Sequence, residues 1–152
     1  FVDLEAALEG LHRAEAAIAA NDPTRAWGPA RVALHTADRG FLPECDAPWA
    51  AEVRERLADV RLRALECVGQ SGLLLGGGEI AAAERAGRRL VALAPFRETG
   101  HRLLMEALAT RGNTAEALLA YERLRVLLRD ELGIAPSPAL QSLHGRLLTN
   151  PS

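Results

Sequence analysis

Apolar residues recur along most of the chain at intervals of three and four positions, with polar residues between them. Such spacing places one apolar stripe along an α-helix, so the pattern predicts a chain built from amphipathic helices. The stripes are clearest between residues 95 and 148, where three helices are predicted. Their expected buried positions are Leu103, Leu104, Ala107 and Leu108, then Ala117, Tyr121, Leu124 and Leu128, then Leu140, Leu143 and Leu147.

The ends of these three helices carry residues that stop or start a helix. Gly112 and Gly133 follow the first and second stripes, as glycine commonly does where a helix ends. Asn113 is expected to cap the second helix, with Glu116 reaching back to complete a capping box. For the last helix, Ser137 is predicted as the N-cap, with a proline at the first helical position.

The upstream part of the chain is also predicted to be mostly helical. Gly28 and Pro29 interrupt the second helix, and they are expected to kink it or to delay its start because proline lacks an amide donor. The irregular segment is expected to carry Phe41 and Leu42 inward, and Trp49 to anchor it on the helices as a buried side chain. The predicted elements are helices over 2–21, 22–38 and 47–75, with the irregular segment over 39–48.

Two stretches of the sequence repeat at a fixed offset. Residues 78–83 align with residues 112–117 at a spacing of 34, which is the tetratricopeptide period, and residues 21–26 resemble a weaker third copy. A small residue such as Ala117, followed one turn later by the aromatic Tyr121, suits two antiparallel helices that pack closely. The sequence therefore predicts an all-α, tetratricopeptide-like solenoid of helical hairpins, with about seven helices and a C-terminal capping helix.

Several runs of residues resemble a known family. They are LAPFRE at 93–98, HRLLM at 101–105 and LGIAPSP at 132–138, with RGFLP at 39–43 and WAAE at 49–52 upstream. Together with Ala117 and Tyr121, these runs resemble the bacterial transcriptional activator domain, which follows the DNA-binding domain in the antibiotic regulatory protein (SARP) family of actinobacterial regulators. The resemblance implies that residues 1–152 form one such domain. It also implies an N-terminal winged-helix DNA-binding domain that is absent from this chain, and because the chain begins at Phe1 without methionine we expect a fragment of a longer regulator.

Composition narrows the possible functions. All 18 basic residues are arginine, so the lysine of a phosphate-binding loop or of a Schiff base cannot exist here. The formal net charge is −2, whereas a domain that grips duplex DNA by its phosphates needs a basic excess, so we expect no direct DNA binding. Cys45 and Cys67 have no paired motif, and no apolar run is long enough to span a membrane. These features predict reduced thiols in a cytoplasmic protein that does not act at a membrane.

Metal binding is the main chemical alternative. Glu9 with His12 and Glu98 with His101 have the Glu-x-x-His spacing used by di-iron helix bundles, although such a site needs further inward glutamates. The glycines at 76–78 are interpreted as a helix stop, because neither a strand nor a Gly-Lys pair accompanies them. The spacing shows no nucleophilic triad. We therefore expect no enzyme activity and no cofactor.

The function implied by the resemblance is that of a protein-interaction domain in a transcriptional activator. Its implied partners are RNA polymerase or a sigma factor and its own DNA-binding domain, with a second protomer in a homodimer as a further candidate. By repeat geometry, the interaction groove is expected to present Thr99, Arg102, Glu106 and Thr110, with ordinary exposed side chains as the alternative interpretation. The alternative function is a peptide-binding tetratricopeptide module of a larger signalling protein or ATPase.

Overall fold

The computed structural model describes residues 4–40 and 47–149, and within these residues the chain is helical without strands. The all-α prediction is thus confirmed. The helices are α1 (Leu4–Ala19), α2 (Pro23–Arg39), α3 (Pro48–Leu75), α4 (Glu79–Leu93), α5 (Glu98–Thr110), α6 (Thr114–Leu132) and α7 (Pro138–Thr149).

The helices pack in chain order, each against the next, as antiparallel hairpins require. In addition α1 contacts α3, α3 contacts α5, and α5 contacts α7, whereas the backbones of α2, α4 and α6 stay apart in the described residues and side-chain ion pairs join these helices. The first helices of successive hairpins therefore line one face, which we call the inner face. The second helices α2, α4 and α6 form the outer face. This arrangement confirms the tetratricopeptide-like solenoid of hairpins with a capping helix.

Burial follows the predicted stripes. Apart from Leu147, which is half-buried, every apolar position predicted in α5, α6 and α7 is buried. Ala83 and Ala117, the small residues of the 34-residue repeat, are both completely buried. The first hairpin is packed mainly through alanines and the last through leucines, so the helix backbones approach more closely at the N-terminal end. The alanines without exposed surface there are Ala7, Ala14, Ala26, Ala30 and Ala33.

Two of the predicted helix ends, after α6 and before α7, are confirmed, and the one before α6 is wrong. Gly133 adopts a left-handed conformation with φ of 65° after α6, and the Ser137 hydroxyl accepts a 3.4 Å bond from the Leu140 amide of α7. Asn113, in contrast, makes no capping hydrogen bond with its side chain. Glu116 does not reach back either, because its carboxylate lies 3.8 Å from an α4 arginine, Arg88. The predicted capping box is therefore not formed.

In the N-terminal half, the expected delay of the second helix and the expected burial of Trp49 are wrong, whereas the kink at Gly28 and Pro29 stays a prediction. The helix α2 begins at Pro23 and continues through Pro29, so its start is not delayed, because Asp22 already caps it by accepting a 3.3 Å bond from the Arg25 amide. Trp49 is 59% exposed and is not a buried anchor. The next residue on α3, Ala50, occupies the inward position and turns the indole outward. The predicted inward packing of residues 41 and 42 lies outside the described residues.

Candidate functional site

An open groove runs along the inner face where α1, α3 and α5 meet. It exists because the first helices of the three hairpins converge while their polar sides point away from the core. The groove has a volume of about 490 Å³, which is room for side chains of a partner. Its polar lining residues are Glu15, Arg63, Glu66, Gln70, Thr99 and Arg102.

Paired charges hold α1 against α3 in this groove. The Arg63 guanidinium donates from Nε to Glu15 Oε2 at 2.9 Å and from Nη2 to Glu15 Oε1 at 2.5 Å. It also donates to Asp59 at 3.2 Å, one turn earlier on α3. The hydrogen bond to Glu15 raises the already high pKa of Arg63 further, in spite of partial burial, so this side chain stays charged. Arg63 thus fixes one wall of the groove.

A second bidentate pair holds the start of α5 against α3. Arg97, the residue just before α5, donates from Nε and Nη2 to the Glu66 carboxylate at 2.9 and 2.8 Å. Fork-shaped arginine–carboxylate pairs of this kind fix orientation as well as distance. The groove is therefore rigid on both sides of α3, and its charges are largely neutralised within the domain.

Of the four residues predicted for the groove, two lie in its lining. Arg102 donates to Gln70 Oε1 and to Glu106 Oε2, each at 3.0 Å, and Thr99 is half-buried beside it. Glu106 is joined to the groove through Arg102. Thr110 is exposed at the end of α5, where its hydroxyl donates to the Glu106 carbonyl at 2.8 Å, and it does not line the groove.

The residues that α1 and α3 contribute were missed by the sequence analysis. Arg63, Glu66 and Gln70 recur at intervals of three and four on α3, which is the spacing of one helical face. That polar stripe, opposite the apolar stripe, was the available signal. Glu15 could not be assigned in the same way, because it joins the groove only through the packing of α1 on α3.

Cys67 lies on the floor of the groove as a buried free cysteine. Burial, followed by the nearby carboxylates of Glu15 and Glu66, raises the pKa of Cys67 to about 12. The thiol is therefore protonated at neutral pH and is a weak nucleophile.

The residues proposed for a metal site are engaged elsewhere. Glu9 pairs with Arg13, and Glu98 accepts a 3.1 Å bond from the Ser137 amide. His101 is buried, and its Nε2 lies 2.7 Å from the Pro95 carbonyl, to which it must donate because a carbonyl only accepts. Burial lowers the pKa of His101, so the ring is neutral. Nowhere in residues 4–40 and 47–149 do three or more His, Cys, Asp or Glu side chains gather in a way that could hold a metal.

Among the described helices, none combines the length and the apolar character needed to cross a bilayer.

Comparison with known proteins defines the class. Residues 2–148 match the family model of the bacterial transcriptional activator domain, and the chain belongs to that family. The resemblance seen in the sequence is thereby confirmed.

Among the similar proteins is the regulatory protein AfsR of Streptomyces coelicolor, 39% identical over 147 residues that make up 97% of this chain and 15% of that protein. AfsR of Streptomyces griseus is 36% identical over the same shares of the two chains. The transcriptional regulator RedD of Streptomyces coelicolor is 37% identical over 88% of this chain and 38% of its own length. The chain therefore spans less than half the length of these relatives. No solved structure matches it.

Proposed function

We propose that this chain is the protein-interaction domain of a longer transcriptional activator of the SARP type, without enzymatic activity of its own. Membership of the activator-domain family supports this, as do relatives named as regulators of which the chain matches only a part. The proposed regulator also carries a winged-helix DNA-binding domain and works in the cytoplasm. Its proposed partners are RNA polymerase or a sigma factor and the companion DNA-binding domain, with a second copy of the chain as a further candidate.

The inner groove is the observation that carries this proposal. Three helices converge on it, two bidentate arginine pairs make it rigid, and Thr99 and Arg102 lie on its α5 side. A rigid, preorganised groove loses little conformational entropy when a partner binds, which favours recognition of another protein surface. We propose Thr99, Arg102, Glu106 and Thr110 as the α5 contribution to that contact, with Thr110 at its outer edge.

One experiment tests the groove directly. The purified chain is run with RNA polymerase holoenzyme on a size-exclusion column with light scattering, and a complex of larger mass is expected. The substitution Arg102→Ala should weaken the complex by about fivefold or more, because an interfacial arginine is a common hot spot. Arg129→Ala is the matched control, since Arg129 also pairs with one carboxylate, Asp130, but lies outside the groove.

The outcomes of this experiment distinguish between the proposed contact surfaces and partners. Equal binding by the Arg102 and Arg129 variants, both shown to be folded by circular dichroism, would overturn the groove as the contact. Absence of any complex would remove polymerase as the partner. The mass of the chain alone, measured in the same run, decides whether it forms a dimer.

A second test concerns DNA. Because the net charge is −2 and the groove arginines are already paired, the chain alone should not bind duplex DNA selectively at physiological salt. A mobility-shift assay compares a promoter fragment with a scrambled duplex of equal length. Tight binding that prefers the promoter fragment would contradict this assignment of roles.

A further inference from the structure

A second concave surface lies on the outer face, between α2 and α4. The backbones of these two helices stay apart in the described residues, although the side chains of Asp38 and Arg89 bridge them. The gap between the helices is a cleft of about 430 Å³. Its floor is apolar and is formed by side chains from three helices. They are Leu34 of α2, Leu65 and Val68 of α3, and Ala82 and Ala86 of α4.

The rim of this cleft is rich in arginine. Arg31 is exposed and stacks over the ring of Trp27, with its guanidinium carbon 5.4 Å from the ring centroid. Arg85 faces the same cleft from α4, and no carboxylate of the described residues forms an ion pair with it. Neither arginine therefore has its charge neutralised by an acidic neighbour within the parts of the chain that the structure describes.

The carboxylates present do not balance this charge. Asp38 is shared between two arginines, since it accepts bonds of 3.0 and 2.8 Å from Arg89 and lies 3.1 Å from the Nε of Arg61. Glu79 at the start of α4 is the other acidic residue of the cleft. Together with Arg31 and Arg85, Arg89 brings the cleft lining to three arginines against two carboxylates. The rest of the chain is acidic enough to bring the total to −2, so the excess is local.

The two faces thus differ in whether their arginines remain available to a partner. On the inner face each groove arginine is satisfied by a carboxylate of the domain itself. On the outer face two arginines flank an apolar floor, and neither of them has a carboxylate partner in the described residues. From this combination we infer that the α2–α4 cleft binds an acidic amphipathic helix of a partner protein, with its apolar side chains on the half-buried Leu34 and Ala82 and its carboxylates on Arg31 and Arg85.

Peptide fits this surface better than nucleic acid. A phosphate backbone would face Asp38 and Glu79 inside the cleft and would leave the apolar floor uncovered. An amphipathic helix covers that floor with leucine-like side chains and places carboxylates at the rim, where Arg31 and Arg85 need them. The cleft is separate from the inner groove, so this inference does not depend on the groove contact.

The test uses a fluorescein-labelled synthetic peptide of about 15 residues, long enough to form a marginal helix. Leucines occupy one helical stripe, glutamates flank it, and alanines fill the remainder. Fluorescence anisotropy with the full chain should show binding that weakens as salt is raised. A peptide with lysine in place of glutamate, and one with the same composition but no stripe, should both fail to bind.

Charge reversal locates the site. The double variant Arg31→Glu, Arg85→Glu should weaken binding by about tenfold or more, since two attractions become repulsions. Arg146→Glu, an exposed arginine of α7 far from the cleft, should leave the affinity unchanged. In a Trp49→Phe background, Trp27 is the remaining tryptophan, and its emission should shift when the peptide binds.

Several results would overturn the inference. These are no binding of the acidic peptide, equal binding by the double variant and Arg146→Glu, and a silent Trp27. Displacement of the peptide by a duplex oligonucleotide that itself binds more tightly would assign the cleft to nucleic acid. Loss of binding in Arg102→Ala, with the double variant unaffected, would place the peptide in the inner groove. A negative result for the peptide does not bear on the inner groove, because the polymerase complex is tested by its own assay.

Discussion

Gly87 on α4 and Tyr121 on α6 occupy corresponding positions of the two 34-residue copies, and they build different helix junctions. A Cβ atom added at Gly87 would lie 2.8 Å from the backbone nitrogen of Leu104, so α4 and α5 pack almost backbone to backbone. Tyr121 instead fills the space beside the capping helix, where its ring stacks on His144 with centroids 4.0 Å apart. The same repeat position therefore allows close packing of two helices inside the stack, whereas at the end of the stack it holds an aromatic side chain that fills the space beside α7.

The difference matters because a solenoid is stabilised by its neighbour contacts. An interior junction is buried from both sides, and removal of one side chain leaves a void that the rigid backbones cannot close. A terminal junction rests on a single capping helix, which can shift. The expected effects of substitution follow from that contrast.

The largest effects are expected for the paired leucines Leu90 and Leu124, which are also 34 residues apart and completely buried. Each change to alanine should cost about 2–5 kcal/mol of unfolding free energy, with Leu90→Ala at the upper end. Leu90 packs tightly under α5, since its Cβ lies 2.7 Å from where a Cβ on Gly100 would be. Urea unfolding followed by circular dichroism measures both values.

The contrast between the interior and the terminal junction is contradicted if Leu124→Ala lowers the unfolding free energy more than Leu90→Ala does. A cost well under about 1 kcal/mol for either variant would show that its helix face is not part of the core. An unchanged urea dependence of the unfolding free energy is the control that the unfolded states are equivalent.

The next effect in size concerns Gly87→Ala. The added methyl would collide with the Leu104 backbone, which cannot rotate away as a side chain can, so a loss of about 1–3 kcal/mol is expected. This loss should appear even though alanine favours helix over glycine by about 1 kcal/mol.

Gly145→Ala on α7 is the matched control, because nothing lies within 4 Å of the added Cβ there. That variant should gain up to about 1 kcal/mol, so one substitution is expected to have opposite signs at two helical sites. If both variants were stabilised in the same thermal and urea melts, the close packing of α4 on α5 would be disproved.

Much of the fold could be predicted because its cause is local. The apolar stripes of α5 to α7 and the buried small residues Ala83 and Ala117 depend on spacing alone, and the structure confirms them. The errors occur where a neighbour decides the outcome. Asn113 fails to cap α6 while Glu116 faces Arg88 of another helix, and Trp49 is turned outward by the inward position of the next residue.

The groove was harder to predict than the fold. Thr99 and Arg102 follow from the position of α5 in a hairpin, but their neighbours come from distant parts of the chain. Glu15 reaches Arg63 across 48 residues, and Glu66 reaches Arg97 across 31. Long, flexible charged side chains have many possible partners, and helix packing selects among them only once the hairpins have stacked. The pairing of the groove therefore belongs to tertiary structure.

The smallest expected effect is a dependence of the unfolding free energy on pH. It is also the last difference between the two junctions. His101 donates to the Pro95 carbonyl at the α4–α5 turn, and the corresponding residue at the α6–α7 turn is Ala135, which does not titrate. Burial lowers the pKa of His101 in the folded chain, although the bond to Pro95 and the charge of Glu98 oppose this. In the unfolded chain the imidazole titrates near about 6.5, so protons bind the unfolded state more readily below that pH. The contribution of the neutral His101 imidazole to the free energy of unfolding should therefore be complete above about pH 7. The free energy of unfolding should decrease as the pH falls below about 6.5.

The variant His101→Gln keeps an amide donor for Pro95 and removes the titration, so its unfolding free energy should decrease less than that of the native chain between about pH 7 and 5. Carboxylates whose pKa is lowered in the folded chain, such as Glu122 beside Arg125, lose their contribution only at lower pH, near the carboxyl range of about 4.3. Parallel slopes for the native chain and His101→Gln in urea melts at several pH values would mean that the buried imidazole is not kept neutral by the fold.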